Sequence, residues 1–246
     1  MKKKKIAPGK IVNVNGHDMH IFSEGQGTDT FVFMSGGGTR FPTKDFKPLW
    51  SLLSDKYRVV VVEKSGYGWS EATQNPRDID TMIDESRKAL KLCKIDSPYI
   101  LVPHSMSGLE AIYWAQKYPQ EVKAIIGLDA ATPDFYEIAK LPPMFLIKLF
   151  HKLGFISSDM VNEVEAVKGN CELLKRLPLP IDTPVYFFIS NGKQIRMVKN
   201  WEELSINFLS GFKAQKHMSL DCGHYVHTHE PKKIASEIIA FIDDMV

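Results

Sequence analysis

The 246-residue sequence is short of the features that mark several functional classes. Its three cysteines, Cys93, Cys171 and Cys222, lie far apart. An odd number without metal-ligand spacing argues against a disulfide framework and a cysteine metal site, and fits a reducing, cytoplasmic setting. No run approaches the ~18 apolar residues of a membrane span. The start, Met1-Lys2-Lys3-Lys4-Lys5-Ile6-Ala7-Pro8-Gly9, is charged but lacks the apolar stretch of a secretory signal. Membrane contact through Lys2–Lys5 is open to it, yet a solvated, frayed terminus is the expectation. The chain also fits the soluble part of a longer anchored protein. Excess charge is missing too: the net charge is +2 and no basic stripe alternates with aromatics, which argues against nucleic acid as a partner.

What is present is a regular alternation. Lys10–Val14 and Met19–Ser23 read as strands joined through Asn15-Gly16, a hairpin turn signal. Apolar strand runs follow at Thr30–Met34, Tyr57–Val62, Tyr99–Val102, Val122–Leu128, Val185–Ile189 and Lys213–Leu220. Helical patterns fall between them at Phe46–Ser54, Ile79–Cys93, Gly108–Tyr118, Trp201–Leu209 and Pro231–Met245. Such runs predict an α/β fold: a mostly parallel eight-stranded sheet flanked by helices. Residues 133–180 break the alternation and read as a helical insertion, punctuated by Pro142-Pro143, Pro178 and Pro180. The predicted division is a core of residues 1–132 and 181–246, with the insertion placed over the strand ends where ligands bind in open sheets.

Three segments carry chemistry. Ser105, in Leu101-Val102-Pro103-His104-Ser105-Met106-Ser107-Gly108, sits between a buried strand and a helix. A serine at that turn is held on a strained backbone with its hydroxyl exposed. The flanks Pro103 and Ser107 depart from the usual Gly-x-Ser-x-Gly form, and a helix-capping serine is the plain alternative. Ser35-Gly36-Gly37-Gly38 follows the third strand, and glycines let backbone amides approach a ligand. Gly37 and Met106 are the predicted amide donors to an oxyanion, where loss of one donor typically costs about 2.7–4 kcal/mol. A phosphate loop is disfavoured because no Gly-Lys-Ser/Thr follows. Asp221-Cys222-Gly223-His224-Tyr225 lies between the last strand and the last helix, so His224 is placed to act as general base. His217, His227 and His229 lie close by, but without carboxylates at ligand spacing no metal is expected. Asp221 is expected to shape the turn.

These parts, together with Glu63-Lys64-Ser65-Gly66-Tyr67-Gly68-Trp69-Ser70 after the fourth strand, resemble the α/β-hydrolase superfamily across nearly the whole chain. The resemblance implies a cap domain over residues 133–180, inserted after the sixth strand, and a Ser–His–acid triad. The acid departs from the pattern. It often follows the strand after the cap, but there the chain reads Ser190-Asn191-Gly192-Lys193-Gln194, without a carboxylate. Some relatives carry it at the end of the preceding core strand, where Asp129 stands. Asp129 is the first choice, Asn191 as a neutral orienter the second, and a chain without an acid the third.

Leu141–Phe155 is amphipathic, with Lys148, His151 and Lys152 on its polar side. Phe135, Tyr136, Met144 and Phe145 are candidate lining residues of an apolar acyl pocket; an ordinary packed lid is the alternative. The expected activity is that of a serine hydrolase, a carboxylic-ester hydrolase acting without a cofactor on an uncharged small-molecule substrate of small to medium size, as a monomer or homodimer. Amide, peptide or carbon–carbon hydrolysis on the same triad is one alternative, and a non-catalytic ligand-binding protein on this scaffold is another. The serine argues against the dehalogenase and epoxide-hydrolase branches, which the resemblance associates with an aspartate nucleophile.

Overall fold

Asn15 and Gly16 both adopt positive φ, 53° and 92°. That conformation matches the right-handed twist of the strands it joins. It closes an antiparallel hairpin of β1 (Lys10–Val14) and β2 (His17–Glu24), with Val14 opposite His17. The remaining strands are β3 (Thr30–Met34), β4 (Arg58–Glu63), β5 (Tyr99–Pro103), β6 (Val122–Leu128), β7 (Val185–Ser190) and β8 (Gln215–Leu220). They form an eight-stranded sheet in the order β1-β2-β4-β3-β5-β6-β7-β8. From β4 to β8 every neighbouring pair is parallel. The computed structural model describes residues 7–139, 141–191 and 200–245. Lys2–Lys5 and the segment Gly192-Lys193-Gln194 lie outside the described residues.

Helices cover both faces. In chain order they are α1 (Pro42–Asp45), α2 (Lys47–Leu53), α3 (Ile79–Leu92), α4 (Ser107–Lys117), α5 (Pro133–Ile138), α6 (Met144–Lys152), α7 (Ser158–Arg176), α8 (Trp201–Leu209), α9 (Val226–His229) and α10 (Pro231–Asp243). Side chains alternate across a strand, so each continuous apolar strand feeds two cores. Phe31 and Phe33 of β3 join Val59, Val61, Ile100 and Val102 on the face covered by α2 and α10. Val32 and Met34 join Val60, Val62 and Leu101 on the face covered by α3 and α4. In α3 the buried residues Ile79, Met82, Ile83, Ser86, Ala89 and Leu90 recur at helical spacing, and the Asp78 carboxylate caps the helix by accepting from Thr81 N at 2.9 Å.

Between β6 and β7 the chain leaves the sheet and forms α5, α6 and α7. The long helix α7 is fastened by buried polar groups. Asn170 Oδ1 accepts from the Ile79 amide at 2.9 Å, and Asp159 Oδ1 from the Thr73 amide at 3.2 Å. Glu163 Oε2 accepts from Lys64 Nζ at 3.0 Å and from the Tyr67 hydroxyl at 2.8 Å. Lys64 Nζ also meets Glu110 Oε1 at 2.8 Å. Burial penalises the Lys64 ammonium, but Glu110 and Glu163 outweigh it and hold its pKa above the usual value. Burial pushes the Glu110 carboxyl up.

The helix α6 behaves differently. Of its residues Ile147 is buried, whereas Phe145, Leu146, Leu149 and Phe150 are exposed, with Leu153 and Phe155 just beyond. The amphipathic pattern had suggested an inward apolar face; here that stripe points to solvent, because α6 packs on its neighbours through the Ile147 side instead. No helix among the described residues is long and apolar enough to cross a membrane.

Candidate active site

Ser105 is the hinge between β5 and α4. Its φ is 54°, in the left-handed region that a side chain makes costly. Two unusual flanks make that turn possible. Pro103 ends β5. The amide of the next residue, His104, bonds to Met34 O of β3 at 3.0 Å, so the ring nitrogen of Pro103 faces β6. The β5–β6 pairing runs only from Tyr99 to Leu101, resuming as a single bridge between His104 and Leu128. The ladder thus skips the one point on this side where proline has no N–H to give. Ser107 is fully buried. Its hydroxyl lies 2.6 Å from Met34 O and accepts from His104 N at 3.0 Å, tying the ends of β3 and β5 to the start of α4. The position that tolerates no side chain is Gly108, where a Cβ would come within 2.2 Å of Ala131 O.

Ser105 Oγ lies 2.8 Å from His224 Nε2. His224 stands in the loop between β8 and α9, and its Nδ1 lies 2.7 Å from Asp129 Oδ2. Asp129 follows β6 with φ 47° and is 1% exposed. A buried carboxylate needs partners, and it has them: Ser190 N and Trp201 Nε1 donate to Oδ1 at 2.7 Å each, and the Ser190 hydroxyl donates to Oδ2 at 2.7 Å. The order is thus hydroxyl, imidazole, carboxylate, one bonded to the next. In that arrangement the imidazole can take the serine proton while the carboxylate fixes its orientation and stabilises the imidazolium.

The glycine loop presses on this hinge. A Cβ on Gly36 would lie 2.7 Å from Ser105 Cβ, and one on Gly37 would lie 2.9 Å from Met106 Cε. Gly38 takes a left-handed φ of 79°, and its amide donates to the Tyr67 hydroxyl at 3.4 Å. Neither the Gly37 nor the Met106 amide donates to any protein acceptor among the described residues. Beside this loop a groove of about 440 Å³ opens between Gly38–Phe41 and Tyr225.

The model of the alpha/beta hydrolase fold family matches residues 30–155. The chain belongs to the α/β-hydrolase family. The protein YbdG of Bacillus subtilis (strain 168) is 39% identical over 208 residues, covering 84% of this chain and 63% of YbdG. The chain thus spans less than two thirds of that relative's length. Among solved structures, the enol-lactonase of Burkholderia xenovorans LB400 superposes with a TM-score of 0.69 at 16% identity, covering 95% of this chain and 100% of that one. The haloalkane dehalogenase DbeA of Bradyrhizobium elkani USDA94 does so with a TM-score of 0.75 at 13% identity, covering 96% and 97%. These structural likenesses concern the fold.

Within this α/β-hydrolase the other sequence candidates fall in different surroundings. Phe135 is buried edge-on against Trp201, with ring centroids 4.8 Å apart. Tyr136 lines a separate cleft between α5 and α7 with Lys168, Cys171 and Lys175, and burial pushes its phenol pKa up. Met144 is half-buried at the start of α6. Phe145 is 68% exposed on the outward side of that helix. Asn191 gives its side-chain amide to Asp221, whereas His224 Nδ1 faces Asp129. The Glu63–Ser70 segment is a built turn: Glu63 accepts from the Trp69 amide at 2.7 Å and from the Thr43 hydroxyl at 2.8 Å, and its carboxylate occupies the space a side chain at Gly68 would need.

Three residues around the site went unnoticed in the sequence. Ser190 and Trp201 hold Asp129, so the strand that lacks the acid supplies donors that fix it on the neighbouring strand. Ser190 was readable as the end of β7, but nothing in spacing links Trp201 to a carboxylate 72 residues away. His104 packs against His224 and His227, each with ring centroids 4.7 Å away, and against Tyr225 at 4.9 Å. Burial, and then the neighbouring His227 and His224, push its pKa well below the usual value. A neutral ring donates from Nε2 to His224 O at 3.2 Å and so holds the loop that carries His224. Among the described residues no group of three or more histidine, cysteine or acidic side chains is arranged to hold a metal ion.

Proposed function

We propose that the protein is a serine hydrolase, acting on an uncharged ester or related acyl compound of small to medium size. The hydrogen-bonded chain Ser105–His224–Asp129 carries this reading. Ser105 Oγ attacks the acyl carbon as its proton passes to His224 Nε2. The oxyanion of the tetrahedral intermediate accepts from the Gly37 and Met106 amides. The intermediate collapses, the leaving group departs with the proton from His224, and an acyl-Ser105 ester remains. Water, deprotonated by His224, then attacks that ester, and His224 returns the proton to Ser105 Oγ as the acid is released. Asp129 keeps the imidazole oriented throughout.

The free amides beside Ser105 support acyl chemistry over a bare binding role, since two unpaired donors next to a nucleophile match a developing negative charge. Ser105 is half-buried rather than closed off, and the groove between Phe41 and Tyr225 lies beside the glycine loop. A fluorophosphonate probe tests the reading. Labelling mapped to Ser105 by mass spectrometry, lost in Ser105→Ala and His224→Ala, is the expected result. A folded protein that never labels would overturn it. Turnover of a short-chain aryl ester assigns the acid: Asp129→Asn should lose about 10⁴-fold in kcat, and full activity in that variant would remove Asp129 from the triad.

A further inference from the structure

Phe145, Leu146, Leu149, Phe150 and Leu153 fall at positions i, i+1, i+4, i+5 and i+8. At 3.6 residues per turn they make one continuous stripe along α6 and the residue after it. That stripe lies opposite the Ile147 side, through which the helix is anchored. Phe155, 62% exposed, extends the stripe and packs edge-on against Phe150. Isolated exposed apolar residues are ordinary, but a contiguous stripe of large ones on a helix marks a contact surface.

Charge selects the occupant. Lys148 and Lys152 flank the stripe one helical turn apart, and His151 lies with them. Between Glu137 and Asp159 the sequence holds no acidic residue. Lys148 is paired with Glu165 at 2.8 Å, an exposed bridge of small energy, while Lys152 is exposed. A second copy of the chain docking over this segment would set Lys152 and His151 against their own counterparts, while Glu165, the acid beside the stripe, is already engaged by Lys148. An apolar stripe edged by lysines instead matches the boundary of an anionic bilayer: the aromatic and leucine side chains enter the acyl region and the lysine stems reach up to the headgroups.

We infer that α6, through Phe145, Leu149, Phe150, Leu153 and Phe155, docks the protein on an anionic lipid surface. The helix rides on the segment that leaves β6 just after Asp129, so docking sets the candidate site beside the membrane. The inference stands independently of the hydrolase reading, and the test uses the Ser105→Ala chain to keep them separate.

The experiment is co-flotation with vesicles of phosphatidylcholine alone or enriched in phosphatidylglycerol. The protein should float with the phosphatidylglycerol vesicles and weaken in high salt. The double variant Phe150→Ser/Phe155→Ser should lose about tenfold or more in partitioning, and Lys152→Glu about fivefold. Circular dichroism verifies the fold, and Lys152→Glu, at an exposed position, guards against a misfolded double variant. Failure of the parent chain to float overturns the inference. Undiminished flotation of both α6 variants also does, because binding would then run through another surface such as Lys2–Lys5. A dimer in sedimentation that the double variant splits, with no flotation, would assign the stripe to a second copy and overturn it too.

Discussion

Two consecutive helices of the insertion invert the usual relation between polarity and burial. In α7, Asp159, Glu163 and Asn170 are all buried. In α6, Phe145, Leu149 and Phe150 are largely exposed. The difference lies in partners. Each buried polar group of α7 meets a complementary one on the core: the Thr73 amide, the Lys64 ammonium with the Tyr67 hydroxyl, and the Ile79 amide. Bonded in this way, a polar group costs less to bury, although Glu163 keeps one oxygen, Oε1, without a hydrogen bond among the described residues. The α6 stripe has no apolar surface opposite it, so its hydrophobicity remains unspent. Helix burial here follows what stands across from the helix, and the candidate site repeats the α7 solution, with Asp129 held by Ser190 and Trp201.

The contrast predicts that the molecule is brittle at its bonded polar groups and tolerant along α6. Lys64→Met should have the largest effect, because it strands Glu110 and Glu163 without a cation; we expect about 3–5 kcal/mol lost in urea unfolding. Its sign with pH is fixed. Glu110 already has its folded pKa raised by burial, and without Lys64 it would bind a proton in the folded but not the unfolded state. The deficit should therefore shrink as pH falls towards about 4.3 and widen as pH rises. A deficit that ignores pH would break the comparison at its strongest point.

Trp201→Phe keeps the ring but removes one hydrogen bond to the Asp129 carboxylate. About 1.5–3 kcal/mol of stability should go with it, and kcat for an aryl ester should fall with KM little changed as the imidazole loses a firmly placed partner. A purely structural Trp201 would leave kcat where it is. Asn170→Ala leaves the Ile79 amide at the start of α3 without its acceptor, and about 1–3 kcal/mol should be lost at the unfolding midpoint. Phe150→Ser should be the mildest, within about 0.5 kcal/mol of the parent, since no core contact is broken. A large loss there would mean that the α6 stripe supports the fold, and the contrast between the helices would collapse.

The sheet was legible because strand runs such as Thr30–Met34 and Val122–Leu128 are apolar throughout, the mark of strands covered on both faces. Ser105 and His224 were legible from their places at strand ends. The two flanks that spoil the usual serine motif were not, because a linear pattern does not contain their reasons. Pro103 falls at a gap in the β5–β6 ladder, and the Ser107 hydroxyl is held by a carbonyl of another strand. Asp129 could be nominated, but its competition with Asn191 was open until the side chains had directions. Sequence polarity misled most over α6, where amphipathicity gave the right helix and the wrong side.

What the sequence determined by itself was local and periodic: which runs are strands, which are helices, and which turns carry a serine, three glycines and a histidine. Backbone sterics and side-chain alternation set these within a few residues. The tertiary structure decided everything that rests on pairing across distance. It set Asp129 rather than Asn191 against His224, with Ser190 and Trp201 holding it, and it set the outward face of α6. Those choices depend on which group stands opposite which, and chain positions 61 to 95 residues apart become neighbours only when the sheet has closed around them.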